Sequence, residues 1–138
     1  MGKFEQLTKY IPLVKNGNIG EWAIDTNNDG TPEHPIQMPY VNYSEMVNAF
    51  REDLFRYCEL HPELEHTKYI ETLAASGLEW SGESMKAADV SALEPKCVIA
   101  LLVGAVRAER FWDGALLDFF NHGSILRWLE RLKALDEQ

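Results

Sequence analysis

CVIALLVGAV, residues 97–106, is the stretch of sequence that decides the fold. It has no charged residue and is apolar on every face of a helix, which is the pattern of a central helix surrounded by other elements. A bilayer crossing needs roughly 20 such residues, about twice as many as this stretch provides, so we expect a buried helix of a globular protein. Gly104 and Ala108 lie four positions apart, and their small size favours the close approach of a neighbouring helix.

Apolar residues at helical spacing predict the elements that cover this central helix. They recur over 46–58 and 69–74 before it and over 125–135 after it, each time as one stripe of an amphipathic helix. A short helix is expected over 115–121, ending at Gly123. The chain on both sides of the central stretch is therefore predicted to be helical.

Polar residues before these segments predict where the helices begin. Asn42 or Ser44 can cap the helix that includes residues 46–58, because a side-chain oxygen there accepts a hydrogen bond from a free backbone N–H. Ser91 begins a capping-box pattern before the central helix, although the proline at position 95 can move the start to Glu94. Ser124 is the expected cap of the last helix.

The first 43 residues have a different pattern. Apolar residues follow helical spacing over 4–14, where Pro12 predicts an early end or a bend. Residues 21–25 and 36–41 read as two short strands around a long turn, and the prolines at 32, 35 and 39 restrict this ribbon to an edge. A small N-terminal β-hairpin is therefore expected.

Together these patterns predict one compact domain over residues 1–138. We expect a mainly α fold with five to six helices around a buried central helix and a small β-hairpin. Residues 1–43 form the helix plus hairpin, and residues 44–138 form the helical core. A pure helical bundle is the alternative.

Composition limits the class of protein. With 46% apolar and 25% charged residues in 138, the chain is an ordinary globular protein and not a disordered or disulfide-rich one. A net charge of −9 argues against direct nucleic-acid binding through neutralised phosphates. Cys58 and Cys97 lie among apolar neighbours, which indicates free buried thiols. The first residues, MGKFEQ, lack the apolar run of a secretion signal, so we expect a cytoplasmic protein that is not membrane-bound.

Four charged residues follow the central stretch within the sequence VRAERFWDG. If the helix continues, Arg107, Glu109, Arg110 and Asp113 lie within an arc of roughly 160° at about 100° per residue. Guanidinium forks grip carboxylate or phosphate groups, so this patch can bind a small anion or place a general base. The favoured alternative is a structural ion-pair network.

Two other patterns are better explained without a site. Asp25, Asn27 and Asp29 fit the start of a calcium loop, but Ile36 occupies the twelfth position, where a glutamate is needed. A plain turn is favoured, and we expect no metal or cofactor. Arg56 and the histidine at position 61 have the R-x4-H spacing of helical ribonucleases of the HEPN type, a short pattern for which a solvated helix end is favoured. His34 in the hairpin loop is a further candidate to join the charged patch.

Longer motifs resemble one family. MKAADVS at 85–91 and GAVRAERFWDGALL at 104–117 resemble the small bacterial proteins of domain of unknown function 6508. NDGTPEHPIQMP at 28–39 and GSILRWL at 123–129 extend the resemblance over most of the chain. The resemblance implies a bacterial, cytosolic setting. It supplies no activity, cofactor or catalytic residue.

Two functions from different classes follow from the sequence. Residues 43–82 contain eight acidic and three basic residues, and such an acidic face can dock on a basic partner. We therefore favour a protein-interaction or regulatory module that binds a protein partner or itself. The alternative is a small enzyme or anionic-ligand binder using Arg107, Glu109, Arg110 and Asp113. No complete catalytic motif is present, so a non-catalytic role is favoured.

Overall fold

The computed structural model describes residues 4–17, 19–23, 40–112 and 114–137. Within these ranges the helices are α1 (Glu5–Thr8), α2 (Ile11–Asn16), α3 (Glu45–Leu60), α4 (Tyr69–Ala75), α5 (Gly82–Ala87), α6 (Pro95–Ala108), α7 (Ala115–His122) and α8 (Ser124–Asp136). The strands are β1 (Gly20–Ala23) and β2 (Tyr40–Tyr43). Short 3-10 helices cover Pro62–Leu64, His66–Lys68 and Val90–Ala92. The predicted mainly α fold with a small β-hairpin is confirmed.

The described ranges contain more helices than the five to six expected, because some predicted helices are short or divided. The N-terminal apolar stripe is interrupted at Lys9 and Tyr10, which separate α1 from α2. Pro12 lies in the first turn of α2, where its missing N–H is not needed by the helix. The proline that was expected to end a helix therefore helps to begin one.

Helix α6 forms the centre of the core. All ten residues from 97 to 106 are buried, as their pattern predicted. Helices α3, α4, α7 and α8 pack against α6. The close approach at Gly104 is made by a side chain instead of a helix: the Trp80 indole donates from Nε1 to the Gly104 carbonyl (3.0 Å). A Cβ at position 104 would lie 3.3 Å from this indole.

The helix starts follow the predicted caps in part. The Ser44 hydroxyl accepts a hydrogen bond from the backbone N–H three residues on (3.4 Å) and caps α3. Helix α6 begins at Pro95 with Glu94 as its N-cap, the later of the two starts that the sequence allowed. The expected cap by Ser124 is wrong, because Gly123, at φ 88°, is the N-cap and Ser124 is already the first helical residue.

The hairpin places the end of β2 beside the helices. β1 and β2 are antiparallel, with Gly20 opposite Tyr43 at one end and Ala23 opposite Tyr40 at the other. The strands expected over 21–25 and 36–41 agree with these bounds in part, and residues 24–39 lie outside the described residues. The chain passes directly from Tyr43 through the α3 cap, so the end of β2 is fixed against the helical core.

A closed polar cluster, the Asp53 cluster, joins the N-terminal helices to α3. The Asp53 carboxylate accepts a hydrogen bond from the Tyr10 hydroxyl (2.5 Å) and forms ion pairs with Lys9 (3.2 Å) and Arg56 (3.5 Å). The Tyr10 hydrogen bond, and then the two cations, lower the pKa of Asp53. This carboxylate has complementary partners on several sides and is largely shielded from solvent, with 18% of its side chain exposed.

Candidate functional site

The charged patch lies where α6 ends. Arg107 is in the last turn of α6, and Glu109 and Arg110 belong to the turn that follows Ala108. The arc calculated for residues 107–113 assumed one continuous helix, and this assumption is wrong because α6 stops at Ala108. Asp113 lies outside the described residues.

Glu109 holds the beginning of α7. Its Oε2 accepts a hydrogen bond from the Gly114 N–H (2.9 Å), and its Oε1 accepts one from the Leu116 N–H (3.0 Å). Gly114 is the N-cap of α7 and has no side chain that could supply an acceptor. The Glu109 carboxylate therefore satisfies N–H groups that a helix start leaves free, and its negative charge lies at the positive end of the helix dipole.

Tyr43 completes this arrangement from the hairpin. Its hydroxyl donates to Glu109 Oε1 (2.5 Å) and accepts from the Leu117 N–H (2.9 Å). Burial, followed by the hydrogen bond to Glu109, raises the pKa of Tyr43 above its ordinary value, so the phenol stays protonated. We call this pair the Tyr43–Glu109 clasp. It ties β2, the end of α6 and the start of α7 together.

A cleft of about 490 Å³ opens beside the clasp. Its walls come from β2, α3, the last turn of α6 and the turn after it. The lining residues are Val41, Tyr43, Arg51, Phe55, Val106, Arg107, Glu109 and Arg110. This arginine cleft combines three guanidinium groups with an apolar floor, and its volume lies within the roughly 300–1,000 Å³ typical of small-molecule sites.

Aromatic rings hold two of the three guanidiniums. The Arg107 guanidinium lies 5.1 Å from the centre of the Phe55 ring, and the Arg51 guanidinium lies 5.9 Å from the centre of the Tyr43 ring. Such cation–π contacts stabilise the position of a guanidinium without using its N–H groups. Both arginines therefore keep donors for another partner.

These arginines have no acidic partner within the part of the chain that the structure describes. Arg51, Arg107 and Arg110 form no ion pair there, and the carboxylate of Glu109 is bonded to the clasp and to α7. Arg107 Nε is buried and has no hydrogen-bond partner among the described residues. The ion-pair network considered for this patch is not formed by its described members.

Five of the eight lining residues were not among the predicted site residues, and three of these five, Tyr43, Arg51 and Phe55, contribute a polar group or a cation–π contact to the cleft. Arg51 is a charged residue within the segment 46–58, where only the apolar stripe was predicted, and it lines the cleft together with Phe55, one turn later on α3. The i, i+4 spacing of these two residues places them on one side. Which side faces α6 depends on tertiary packing, and nothing in the sequence links Tyr43 to Glu109.

The remaining candidates are not brought to this cleft by the described structure. His34 and the calcium-loop residues Asp25, Asn27 and Asp29 lie outside the described residues. No group of three or more His, Cys, Asp or Glu side chains that could hold a metal ion occurs among the residues described.

The two residues of the R-x4-H pair, Arg56 and His61, have separate partners. Arg56 pairs with Asp53 (3.5 Å), whereas the His61 ring lies 3.1 Å from Glu63 and stacks on Tyr57 at a centroid distance of 4.2 Å. The structure therefore gives Arg56 a structural partner and does not join the two side chains in one site.

A second concavity, the Trp80 groove, lies between α5 and α7. It has a volume of about 350 Å³ and is lined by Trp80, Ser81, Gly82, Met85, Ala108, Trp112, Gly114, Ala115, Asp118 and Phe119. At its edge Phe111 and Trp112 are 64% and 57% exposed. These are large apolar side chains left in solvent directly after Arg110.

The family model of DUF6508, described as a family of unknown function, matches residues 3–138. The chain belongs to this family. The resemblance read from the longer motifs is thereby confirmed. No curated protein and no solved structure matches this DUF6508 member. Among its described helices, none is both long enough and apolar enough to cross a membrane.

Proposed function

We propose that this DUF6508 protein binds a small anionic ligand in the arginine cleft. The single observation behind the proposal is that Arg51, Arg107 and Arg110 line one cleft without an acidic partner among the described residues. Three cations without an ion-pair partner in the described ranges line one cleft of a chain whose net charge is −9. An anion supplies the acceptors that the described residues do not.

A bound anion would remove an energetic cost at Arg107. A buried donor without a partner costs about 1–3 kcal/mol, and Arg107 Nε is such a donor. Arginine forks match the oxygens of carboxylates and phosphates in bidentate geometry. The apolar floor of the cleft, formed by Val41, Phe55 and Val106, lowers the local dielectric constant and thereby strengthens such charge-assisted hydrogen bonds.

Binding without catalysis is the favoured form of this function. A general base needs a free lone pair within reach of the ligand. The lining carboxylate of Glu109 already accepts three hydrogen bonds from Tyr43, Gly114 and Leu116, which occupy most of its roughly four lone-pair sites. The protonated Tyr43 phenol is likewise engaged in the clasp. The described lining therefore favours holding an anion over transforming it.

Calorimetric titration with carboxylates, phosphate esters and inorganic phosphate tests this function. We expect at least one anion to bind the wild-type protein and the Arg107→Met variant to bind it at least tenfold more weakly. Lys133→Met is the matched control, because Lys133 is exposed near the end of α8, outside the cleft. Equal affinity in all three proteins would contradict the proposal. If Arg107→Met does not fold, Arg51→Met takes its place.

A protein-interaction role is the second candidate, and the exposed Phe111 and Trp112 side chains support it. We propose that the Trp80 groove receives an apolar side chain of a protein partner that also presents a basic residue. Charge favours such a partner, since the chain has a net charge of −9 and Asp118 lies on the groove edge. Asp118 forms an ion pair with Lys86, so the basic residue of the partner would compete with Lys86 for the Asp118 carboxylate.

Capture from a bacterial lysate, identification by mass spectrometry and rebinding of the purified partner test this candidate. A basic partner that is lost with Trp112→Ala and weakened by salt supports it, because surface charge attraction is screened by ions. Sedimentation of the protein alone measures self-association. If a partner is retained by Trp112→Ala, this groove is not its site.

The bacterial, cytoplasmic setting is part of the same proposal. Its support is the motif resemblance and the state of the two cysteines: Cys58 and Cys97 are both buried and free. Burial raises the pKa of Cys58 to about 11, which keeps it a thiol. Free thiols of this kind suit a reducing compartment.

A further inference from the structure

We infer that the ligand of the arginine cleft is an organic phosphate monoester, bound as its dianion with an apolar group against the cleft floor. This inference rests on the proposed anion-binding function and names the class of ligand. Charge and the arrangement of the guanidiniums favour this class over a simple carboxylate, and the apolar part of the lining favours it over inorganic phosphate.

Charge is the first consideration. Arg51, Arg107 and Arg110 contribute three positive charges to the lining, and Glu109 contributes one negative charge. Among the described lining residues, this excess of two positive charges matches a dianion. A monocarboxylate would neutralise only one of them, whereas a phosphate monoester has close to two negative charges above pH 7.

The arrangement of the donors is the second consideration. Arg51 belongs to α3 and Arg107 to α6, so two walls of the cleft each provide a guanidinium, and Arg110 adds a third from the turn after α6. The contacts with Tyr43 and Phe55 hold the first two over aromatic rings. Donors from three separate backbone positions suit the three terminal oxygens of a phosphate monoester, and a carboxylate has only two oxygens.

The floor of the cleft is the third consideration. Val41, Phe55 and Val106 line it beside the guanidiniums, and a bare phosphate ion has no group to place against them. A volume of about 490 Å³ also exceeds what one phosphate group fills. An ester with an apolar or aromatic group uses both parts of the lining.

The pH dependence of binding tests the inference, because the second pKa of a phosphate monoester is about 6. Calorimetry at pH 7.5 and pH 5.0 compares phenyl phosphate, benzoate and inorganic phosphate. We expect phenyl phosphate to bind most tightly at pH 7.5 and to lose about tenfold in affinity at pH 5.0, as the dianion becomes a minor species. Benzoate, whose carboxyl group ionises near a pKa of about 4, should change less than twofold.

Comparing phenyl phosphate with benzoate also controls for pH effects that come from protein groups near the cleft. Among the described residues, the charged and titratable groups that line the cleft are Tyr43 from β2, Arg51 from α3, Arg107 from α6, and Glu109 and Arg110 from the turn. Behind them, His66 contacts the Phe55 ring from its 3-10 helix (6.3 Å between centroids). Phenyl phosphate and benzoate meet these same groups at each pH, so the change in the ratio of their affinities reports mainly the phosphate group.

The outcomes separate this inference from the function on which it rests. Benzoate that binds as tightly as phenyl phosphate at pH 7.5, or a phenyl phosphate affinity independent of pH, overturns the inference and leaves an anion site. If inorganic phosphate binds as tightly as phenyl phosphate, the inference that the ligand is an ester is wrong. If none of the three anions binds, both proposals fail. Phe55→Leu should reduce the preference for phenyl phosphate over inorganic phosphate, whereas Lys133→Met should not change it.

Discussion

Two polar clusters on opposite sides of α3 differ in whether their charged groups have partners of opposite charge. In the Asp53 cluster a single carboxylate meets a hydroxyl and two cations. In the arginine cleft three guanidiniums meet no carboxylate that is free to pair with them within the described structure. Asp53 and Arg51 are only two residues apart along the same helix.

The difference separates a cluster that stabilises the fold from one that retains capacity for a ligand. Buried polar groups in folded proteins normally find partners, and the exceptions need an explanation. The Asp53 cluster obeys this rule, whereas Arg107 Nε does not. Removing the charge of Asp53 should therefore lower stability, whereas removing the charge of an arginine of the open cleft should leave stability nearly unchanged.

The largest effect is expected where the cleft meets the fold, at Glu109. Glu109→Ala removes the acceptor for two backbone N–H groups of α7 and for the Tyr43 hydroxyl, so we expect a loss of about 2–3 kcal/mol in the free energy of unfolding. Urea denaturation measures it. Glu130→Ala, at an exposed position on α8, is the control and should change stability by less than about 0.5 kcal/mol. If Glu109→Ala also lowered the free energy of unfolding by less than about 0.5 kcal/mol, the clasp would not stabilise the fold.

In the Asp53 cluster, Asp53→Asn should cost about 1 kcal/mol at pH 7, because a charged acceptor of one hydrogen bond and two ion pairs becomes neutral. The pKa of Asp53 is lowered in the folded protein. Its contribution is therefore complete above the unfolded value of about 3.9 and is lost as the pH falls through the folded value. Unfolding curves of both proteins from pH 7 to pH 2.5 measure this. A difference that persists unchanged at the lowest pH would mean that the charge of Asp53 is not its source.

The sequence predicted the closed parts of the molecule better than the open one. The uncharged run at 97–106 requires burial on all sides, and the stripe from 46 to 58 has one apolar face. The positions of the apolar residues therefore predicted a central helix covered by others. Ser44 was found because a cap is a local signal. Glu109 was found as part of a charged patch, but its role depends on Gly114, whose lack of a side chain leaves α7 without a local cap.

The arginine cleft was predicted only in part because it is a tertiary feature. Arg107 and Arg110 stood out as guanidiniums at the end of a buried helix. Arg51, on a different helix, belongs to the cleft only because α3 packs beside α6, and Tyr43 reaches it from the hairpin. Helical periodicity reports which face of one helix is apolar, and it contains no information on which polar flanks of two helices meet.

Inside the cleft, Arg107→Met should change the free energy of unfolding by less than about 1 kcal/mol, because the lost cation–π contact with Phe55 is offset by removal of a buried donor that lacks an acceptor. The sharper measurement repeats the unfolding with a binding anion present. A ligand at 100 times its Kd stabilises the wild-type protein by about 2.7 kcal/mol, and the variant should lose most of this gain. A large loss of stability without ligand would place Arg107 with the structural residues.

The smallest effect on stability is expected at the mouth of the cleft. Arg110 is exposed, so Arg110→Met should change the free energy of unfolding by less than about 0.5 kcal/mol. Anion affinity should fall by a few fold at low salt, and the difference from the wild-type protein should shrink at 1 M salt, where charge interactions are screened within about 3 Å. The Arg107→Met defect should persist at high salt, because Arg107 is half-buried and its Nε is shielded from solvent. If the affinity defects of both variants shrink equally at high salt, the cleft binds anions only as a positively charged surface. Arg107 and Arg110 would then have the same role.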